Sequence, residues 1–309
     1  MGLSLSISTS VFAARTLTIK NPTRWLSIDL LTSSVLVDPS IVLDGGTIEK
    51  VICTLKGFAE GDTLVFTTSN TSSDYTFAFN SGILTITDPT PTAAEGLPGG
   101  AWETLLRTLR FTPGPVSPSH NNDRTVEYEV LEKDKSFKIG ETYHFYDFVA
   151  AGAYSAGSAD GEGAGIYWNG AKADAESSSR LYYGKRGYLA TVTSVAENNF
   201  LFTQVNASDT GWLGGSDIST EGTWLWKTGP EAGTAVPMGS PYWNTDEPNN
   251  SGGEDYLQTL SSSSKKWNDL SGSSSSLGYF IEWGGLPEPA TTVTIKIQNH
   301  NAIKHAAGF

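Results

Sequence analysis

From about Trp25 to Val130, apolar and polar residues alternate in short runs that are broken at near-regular intervals. Ser34–Val37, Thr47–Leu55, Thr63–Thr68, Tyr75–Phe79, Ile83–Thr87, Thr108–Phe111 and Thr125–Val130 carry the pattern of half-buried strands. Asp-Gly-Gly, Glu-Gly-Asp, Asn-Ser-Gly and Thr-Pro-Gly-Pro lie between them, and such residues favour turns. Strands at this spacing predict a β-sandwich over residues 25–135. Trp102–Leu109 is the one stretch in it that reads as a short helix.

Past the charged joint Lys133–Lys138 the pattern changes. Tyr143–Val149 and Gly187–Val192 read as strands, and the alanine-rich Trp168–Glu176 reads as a helix. Thr193 or Ser194 supplies an N-cap for a helix from Ala196 to Phe202, with Glu197 placed for a capping box from Ser194. Helices among short strands and long Gly/Ser loops predict an α+β domain over 136–286. Trp212, Trp224, Trp226 and Trp267 read as core. Tyr242 and Trp243 fit packing or stacking on a ligand. Residues 1–24 read as a leader or upstream linker: Val-Phe-Ala-Ala resembles a signal-peptidase site, without the usual positive n-region. Residues 287–309 read as a tail or the start of a further module, although Thr291–Ile297 alternates like a strand.

Composition narrows the classes. The chain has 309 residues, 17% of them charged, which fits two folded domains rather than a disordered polymer. No apolar run reaches the roughly 20 residues of a spanning helix, so no membrane span is expected. A net charge of -13 argues against nucleic acid, whose binding needs clustered cations. The single cysteine, Cys53, forbids an intrachain disulfide and reads as a buried small residue.

The chemistry concentrates in Asp246–Asp255 and Lys266–Leu270. These loops hold Glu247, Asn249, Glu254, Asn268 and Asp269, all hard oxygen donors, with a strand-length segment between them. Calcium takes six to eight such ligands, whereas zinc prefers His or Cys, and no histidine lies in either loop. The spacing is not that of an EF-hand. Catalysis has less support. Glu254 and Asp255 are sequence neighbours that would point to opposite faces of a strand, and no phosphate loop or nucleophile elbow is present. The protein is therefore read as a non-enzyme.

Two resemblances add to this. GFAEGDTLVF, GILTITDP, WETLLRTLRFTPG and RTVEYEV resemble the immunoglobulin-like or cadherin-like repeats of large bacterial surface proteins. GYLATVTSVAENNFL, WLGGSD, EGTWLW, YWNTDEPNN, GGEDY, WNDL and GYFIEW resemble, in order and spacing, a C-type lectin-like domain from about Tyr143 to Trp283. That resemblance implies a calcium site at Glu247, Asn249, Glu254, Asn268 and Asp269, with Pro248 cis. It implies an auxiliary site at Asp217, Glu221, Glu254 and Asp255, with Asn250 where an aspartate is sometimes found. A surface turn is the alternative for Asp217 and Glu221. The family's cysteines are missing: Tyr256, Gly272 or its neighbour, and Ile281 stand in their places, so apolar packing must replace the disulfides.

The implied function is calcium-dependent binding of a glycan of mannose, glucose, N-acetylglucosamine or fucose type, with Glu247, Asn249, Glu254 and Asn268 touching the sugar. The implied protein is a secreted or cell-surface bacterial adhesin. The alternative is a calcium-stabilised structural module whose partner is a protein or ice.

Overall fold

The computed structural model describes residues 15–27, 34–44, 46–66, 75–91, 101–114, 122–151, 166–206, 209–260, 264–273, 277–288 and 291–298. The chain forms two compact units, one built on Asp134–Glu288 and the other on Ala14–Lys133 with the chain from Pro289 onward.

The N-terminal unit is almost all β. Its strands are β1 (Thr16–Thr18), β2 (Thr23–Ser27), β3 (Val35–Leu36), β4 (Val42–Asp44), β5 (Ile48–Lys56), β6 (Thr63–Phe66), β7 (Thr76–Asn80), β8 (Ile83–Thr87), β9 (Leu109–Thr112) and β10 (Arg124–Glu132). The short helix α1 (Ala101–Leu106) precedes β9. All seven runs singled out in the sequence coincide with strands. In β5 the alternation places Val51, Cys53 and Leu55 inward, opposite Val126, Tyr128 and Val130 of antiparallel β10. Helix α1 buries Trp102 and Leu106, and Phe66 of β6 packs on Phe77 of β7 at 5.1 Å between ring centroids.

Strands at both ends of this unit join its sheets. The sequence reading set 287–309 apart, yet Thr292–Gln298 lies in the six-stranded sheet, ordered β2, Thr292–Gln298, β10, β5, β8, β7. It runs antiparallel to β10 and parallel to β2, with Val293 and Ile295 buried. Alternation marks a segment as a strand but does not name its neighbour. Part of the stretch read as a leader or linker is also folded, because Thr16–Thr18 pairs with β4. The remaining strands form a three-stranded sheet, β3-β9-β6.

The C-terminal unit combines β11 (Ser136–Ile139), β12 (Thr142–Val149), α2 (Trp168–Ala175), β13 (Gly187–Leu189), α3 (Val195–Phe200), β14 (Gly211–Ser216), β15 (Leu225–Trp226), β16 (Tyr256–Thr259), β17 (Trp267–Leu270) and β18 (Gly278–Trp283). One sheet orders them β11-β12-β18-β14-β16-β17, with β13 on β18 and β15 on β14. Strands β14 and β18 run parallel. Ser194 caps α3 by accepting from Glu197 N at 3.1 Å. The return half of the expected capping box goes elsewhere: Glu197 accepts from Thr193 N at 2.7 Å. Its other oxygen takes the Tyr146 hydroxyl at 2.7 Å, which draws the carboxylate into the interior.

The core of this unit gathers Trp224, Trp226, Trp243 and Trp267 with Leu213, Leu257 and Phe280. Trp212 is also fully buried. Tyr242 stacks on Trp267 at 4.7 Å and Trp243 meets Trp224 edge-on at 4.9 Å, so both residues left open by the sequence engage in packing.

Candidate functional site

The tryptophan core sets the position of the acidic loop. Trp267 N donates to Tyr242 O and Asn244 N donates to Trp267 O, each at 2.9 Å. These bonds pin the chain leading into Glu247 alongside β17, which carries Asn268 and Asp269. Glu247–Pro248 is a cis peptide bond, as the resemblance implied. Asp269 is 1% exposed, and its two carboxylate oxygens accept from Asn249 N at 3.2 Å and Asn250 N at 2.7 Å. The Glu-Pro-Asn turn and the Trp-Asn-Asp strand thus meet through backbone donors on one buried carboxylate.

Smaller bonds close the loop. Asn249 Oδ1 and a Glu254 carboxylate oxygen both accept from Ser251 N, at 2.8 and 3.2 Å, and Asn250 Oδ1 accepts from Glu254 N at 2.7 Å. Asn250, Gly252 and Gly253 all have positive φ, which the two glycines adopt without strain. The Asn268 amide donates to the Asp269 carbonyl.

Three carboxylates of the predicted five-residue set act on one another. Burial raises the Glu247 pKa to about 7, helped by its hydrogen bond to Asp269 and by the charges of Asp269 and Glu254. Burial and Asp269 likewise raise that of Glu254. Glu247 Oε2 is buried without a hydrogen-bond partner. Among the described residues, no three His, Cys, Asp or Glu side chains are gathered in metal-holding geometry, Glu247, Glu254 and Asp269 included.

The residues of the auxiliary site are only partly assembled. Asp217 is 1% exposed, with Oδ1 unpartnered and Oδ2 accepting from Gly222 N at 2.8 Å. Its N donates to Asp255 O at 3.2 Å. Burial raises its pKa, with contributions from the charges of Asp255 and Asp269. Asn250 is committed to the acidic loop, and Glu221 stands exposed on the turn after β14.

Tyr256 and Ile281 pack closely on glycines. A Cβ on Gly272 would lie 2.4 Å from the Tyr256 ring, and one on Gly187 would lie 2.7 Å from Ile281 Cδ1. Beside Tyr256 the sequence reading missed a groove of about 520 Å3 lined by Tyr167, Asn169, Asp255, Tyr256, Ser271 and Ser273, among others. It draws on three separated segments, so no local motif announces it.

Residues 175–280 match the family model for the lectin C-type domain. Halomucin of Haloquadratum walsbyi is 28% identical over 310 residues, which cover 91% of this chain and 3% of that protein. C-type lectin domain family 4 member M of Gorilla gorilla gorilla is 41% identical over 85 residues, 27% of this chain and 21% of that protein. The human CD209 antigen is 40% identical over 82 residues, 26% of this chain and 19% of that protein. The chain thus spans a small fraction of each of these relatives. Among solved structures, the carbohydrate-recognition domain of cow CD23, determined in the presence of a GlcNAc2Man3 oligosaccharide, aligns with 49% of this chain and 95% of its own at 21% identity and a TM-score of 0.34.

Proposed function

We propose that the C-terminal unit binds glycans through a calcium ion held by Glu247, Asn249, Glu254, Asn268 and Asp269, within an extracellular or cell-surface adhesin. The observation that carries this reading is the meeting of Glu247–Pro248–Asn249 with Asn268–Asp269 on one edge of the sheet. The chemistry of the side chains suits a hard cation: their donors are oxygens, Glu247 Oε2 lacks a partner, and the mutual repulsion of the three carboxylates is what a divalent charge relieves. Asp217, Glu221, Glu254 and Asp255, with Asn250, are the residues for a second, auxiliary ion.

When bound, calcium supplies open coordination positions for two adjacent sugar hydroxyls. Glu247 and Glu254 accept hydrogen bonds from those hydroxyls, and the Asn249 and Asn268 amides donate to them. The Glu-Pro-Asn order resembles that of domains suited to equatorial 3- and 4-hydroxyls, as in mannose, glucose or N-acetylglucosamine, and to the equivalent pair of fucose. One such site binds at about millimolar Kd, or ~4 kcal/mol, so adhesion rests on several copies. The resemblance to C-type lectins and to halomucin supports a surface location.

The test is retention of the whole chain on immobilised mannose in millimolar CaCl2. Elution by EDTA and loss of retention in Glu247→Gln are expected. Retention that survives EDTA removes the calcium mechanism. Failure to bind any sugar, with calcium stabilisation intact, moves the assignment to a calcium-stiffened module for a protein or ice.

A further inference from the structure

β2 and the strand Thr292–Gln298, here β19, run parallel in the six-stranded sheet. Thr23 stands opposite Thr294 at one end of their ladder, and Ser27 stands opposite Gln298 at the other. The chain that precedes β2 therefore meets the ladder at the Thr23 end, and the chain that follows β19 leaves it at the Gln298 end. Tension applied to those two flanking segments slides one strand along the other, so the ladder bonds are loaded together. In an antiparallel pair both segments would leave from one end, and the bonds would open one at a time.

Both strands are fastened against sliding. Just before β2, the fully buried Asp38 carboxylate accepts from Lys20 N at 2.8 Å and from Asn21 Nδ2 at 2.7 Å. Thr294 N donates to Pro22 O at 2.8 Å. On its other side β19 pairs with antiparallel β10, Lys296 forms an ion pair with Asp123, and Ile297 N donates to Asp123 Oδ1 at 3.3 Å. Val293 and Ile295 are fully buried, and a slip by one residue would turn both outward. The C-terminal unit, Asp134–Glu288, occupies the chain between the end of β10 and the start of β19. It is an insertion between two neighbouring strands, inside the stretch of chain that the β2–β19 ladder bridges.

We propose a mechanical function for the N-terminal unit: β2 and β19 form a shear clamp that passes tension along the chain directly from one strand to the other, and the inserted C-terminal unit bears none of it while the clamp holds. Loops in that unit keep their geometry when the chain is pulled. The inference does not depend on what the C-terminal unit binds.

Optical-tweezer pulling on the whole chain, with handles fused to its two ends, tests it. Handles at Lys133→Cys and Pro289→Cys first record the unfolding signature of the C-terminal unit. In end-to-end pulling that signature is expected only after the N-terminal unit has given way, and its earlier appearance overturns the proposal. With one handle at the N-terminus and the other at Pro289→Cys, the pull enters β19 at its Thr294 end and peels the ladder. The N-terminal unit is then expected to give way at about half the end-to-end force or less, because each hydrogen bond is met singly. Equal forces in the two geometries overturn the clamp. The strand direction has a test without force. Thr23→Cys with Thr294→Cys is expected to form a disulfide in the folded chain, and Thr23→Cys with Gln298→Cys, at opposite ends of the ladder, is not. Crosslinking of the second pair in place of the first, or of neither, removes the clamp.

Discussion

The Tyr256 ring lies directly on Gly272: a Cβ added to that glycine would sit 2.4 Å from Tyr256 Cε2. Tyr256 also packs against Trp168 at 4.9 Å, and Gly272 O accepts from Trp168 N at 3.2 Å. A ring, a glycine and a tryptophan thus tie β16, the end of β17 and the start of α2 together.

Gly272→Ala should therefore destabilise the C-terminal unit by about 1–3 kcal/mol, the usual cost of an overpacked methyl. Tyr256→Leu, which withdraws the ring edge, should recover part of that loss in the double variant. Urea unfolding of the four proteins gives the coupling. Simple additivity would show that the ring and the glycine are not in contact.

The calcium site predicts a stability linkage. At about 100 times its Kd, a ligand that binds only the folded state adds about 2.7 kcal/mol. Thermal unfolding with and without millimolar CaCl2 should show this gain in the parent chain, and Glu247→Gln should abolish most of it. Glu247 Oε2 has no protein partner, so the substitution breaks no bond of that atom. An undiminished shift in Glu247→Gln would place the ion elsewhere.

How much of this was legible in the sequence depended on the range of the interaction. Alternation marked β5, β8 and β10 because each side chain's burial follows from its own parity on the strand. The acidic loop was legible because Glu247–Asn249 and Asn268–Asp269 are compact motifs. Thr292–Gln298 showed its strand pattern, but its place between β2 and β10 depends on two distant partners. The Tyr256–Gly272 contact was visible only as missing cysteines. The turn of Glu197 toward Thr193 and Tyr146 was not visible at all, because a capping box read locally takes no account of what lies beneath the helix.

That inward turn has a pH consequence. Glu197 and Glu282 are both fully buried, and the Tyr146 hydroxyl lies 2.7 Å from the first and 3.2 Å from the second. His144 Nδ1 sits 2.6 Å from Glu282, and the Tyr188 and Glu231 side chains complete the surroundings. Burial and the Glu282 charge push the Glu197 pKa up to about 7 from 4.5. Burial opposes charging of His144, but its hydrogen bond to Glu282 and that charge outweigh burial, and its pKa rises above 6.5.

Both shifts have the same sign for stability. Between about pH 4.5 and 7 the folded chain holds a proton on Glu197 that the unfolded chain releases, so stability is full at the acid end and falls as pH rises, by about 3 kcal/mol. His144 adds stability that is present below pH 6.5 and lost through its raised folded value. In calcium-free buffer the melting temperature should be higher at pH 5 than at pH 8, and Glu197→Gln should remove part of that slope, with the raised Glu247 and His144 carrying the remainder. A full slope in the variant would remove Glu197 as the proton holder.

In the N-terminal unit the pair Asp62–Arg124 supplies a separate test. Arg124 Nε donates to Asp62 Oδ2 at 2.6 Å with the two side chains 1% and 0% exposed. Asp62 also accepts from Ala59 N and Gly114 N, each at 2.9 Å, so it anchors two turns as well as a charge. Asp62→Ala leaves a buried guanidinium and two backbone donors without their acceptor, and a loss of about 3–5 kcal/mol is expected. Arg124→Met keeps both backbone bonds but buries an unpaired carboxylate, and should cost a similar amount. In the double variant no charge is stranded, yet the two backbone donors still lack a partner, so it should recover much of the loss and remain below the parent chain. If the double variant is as unstable as the sum of the singles, the contribution of the pair lies in the turns that Asp62 holds and not in the ion pair.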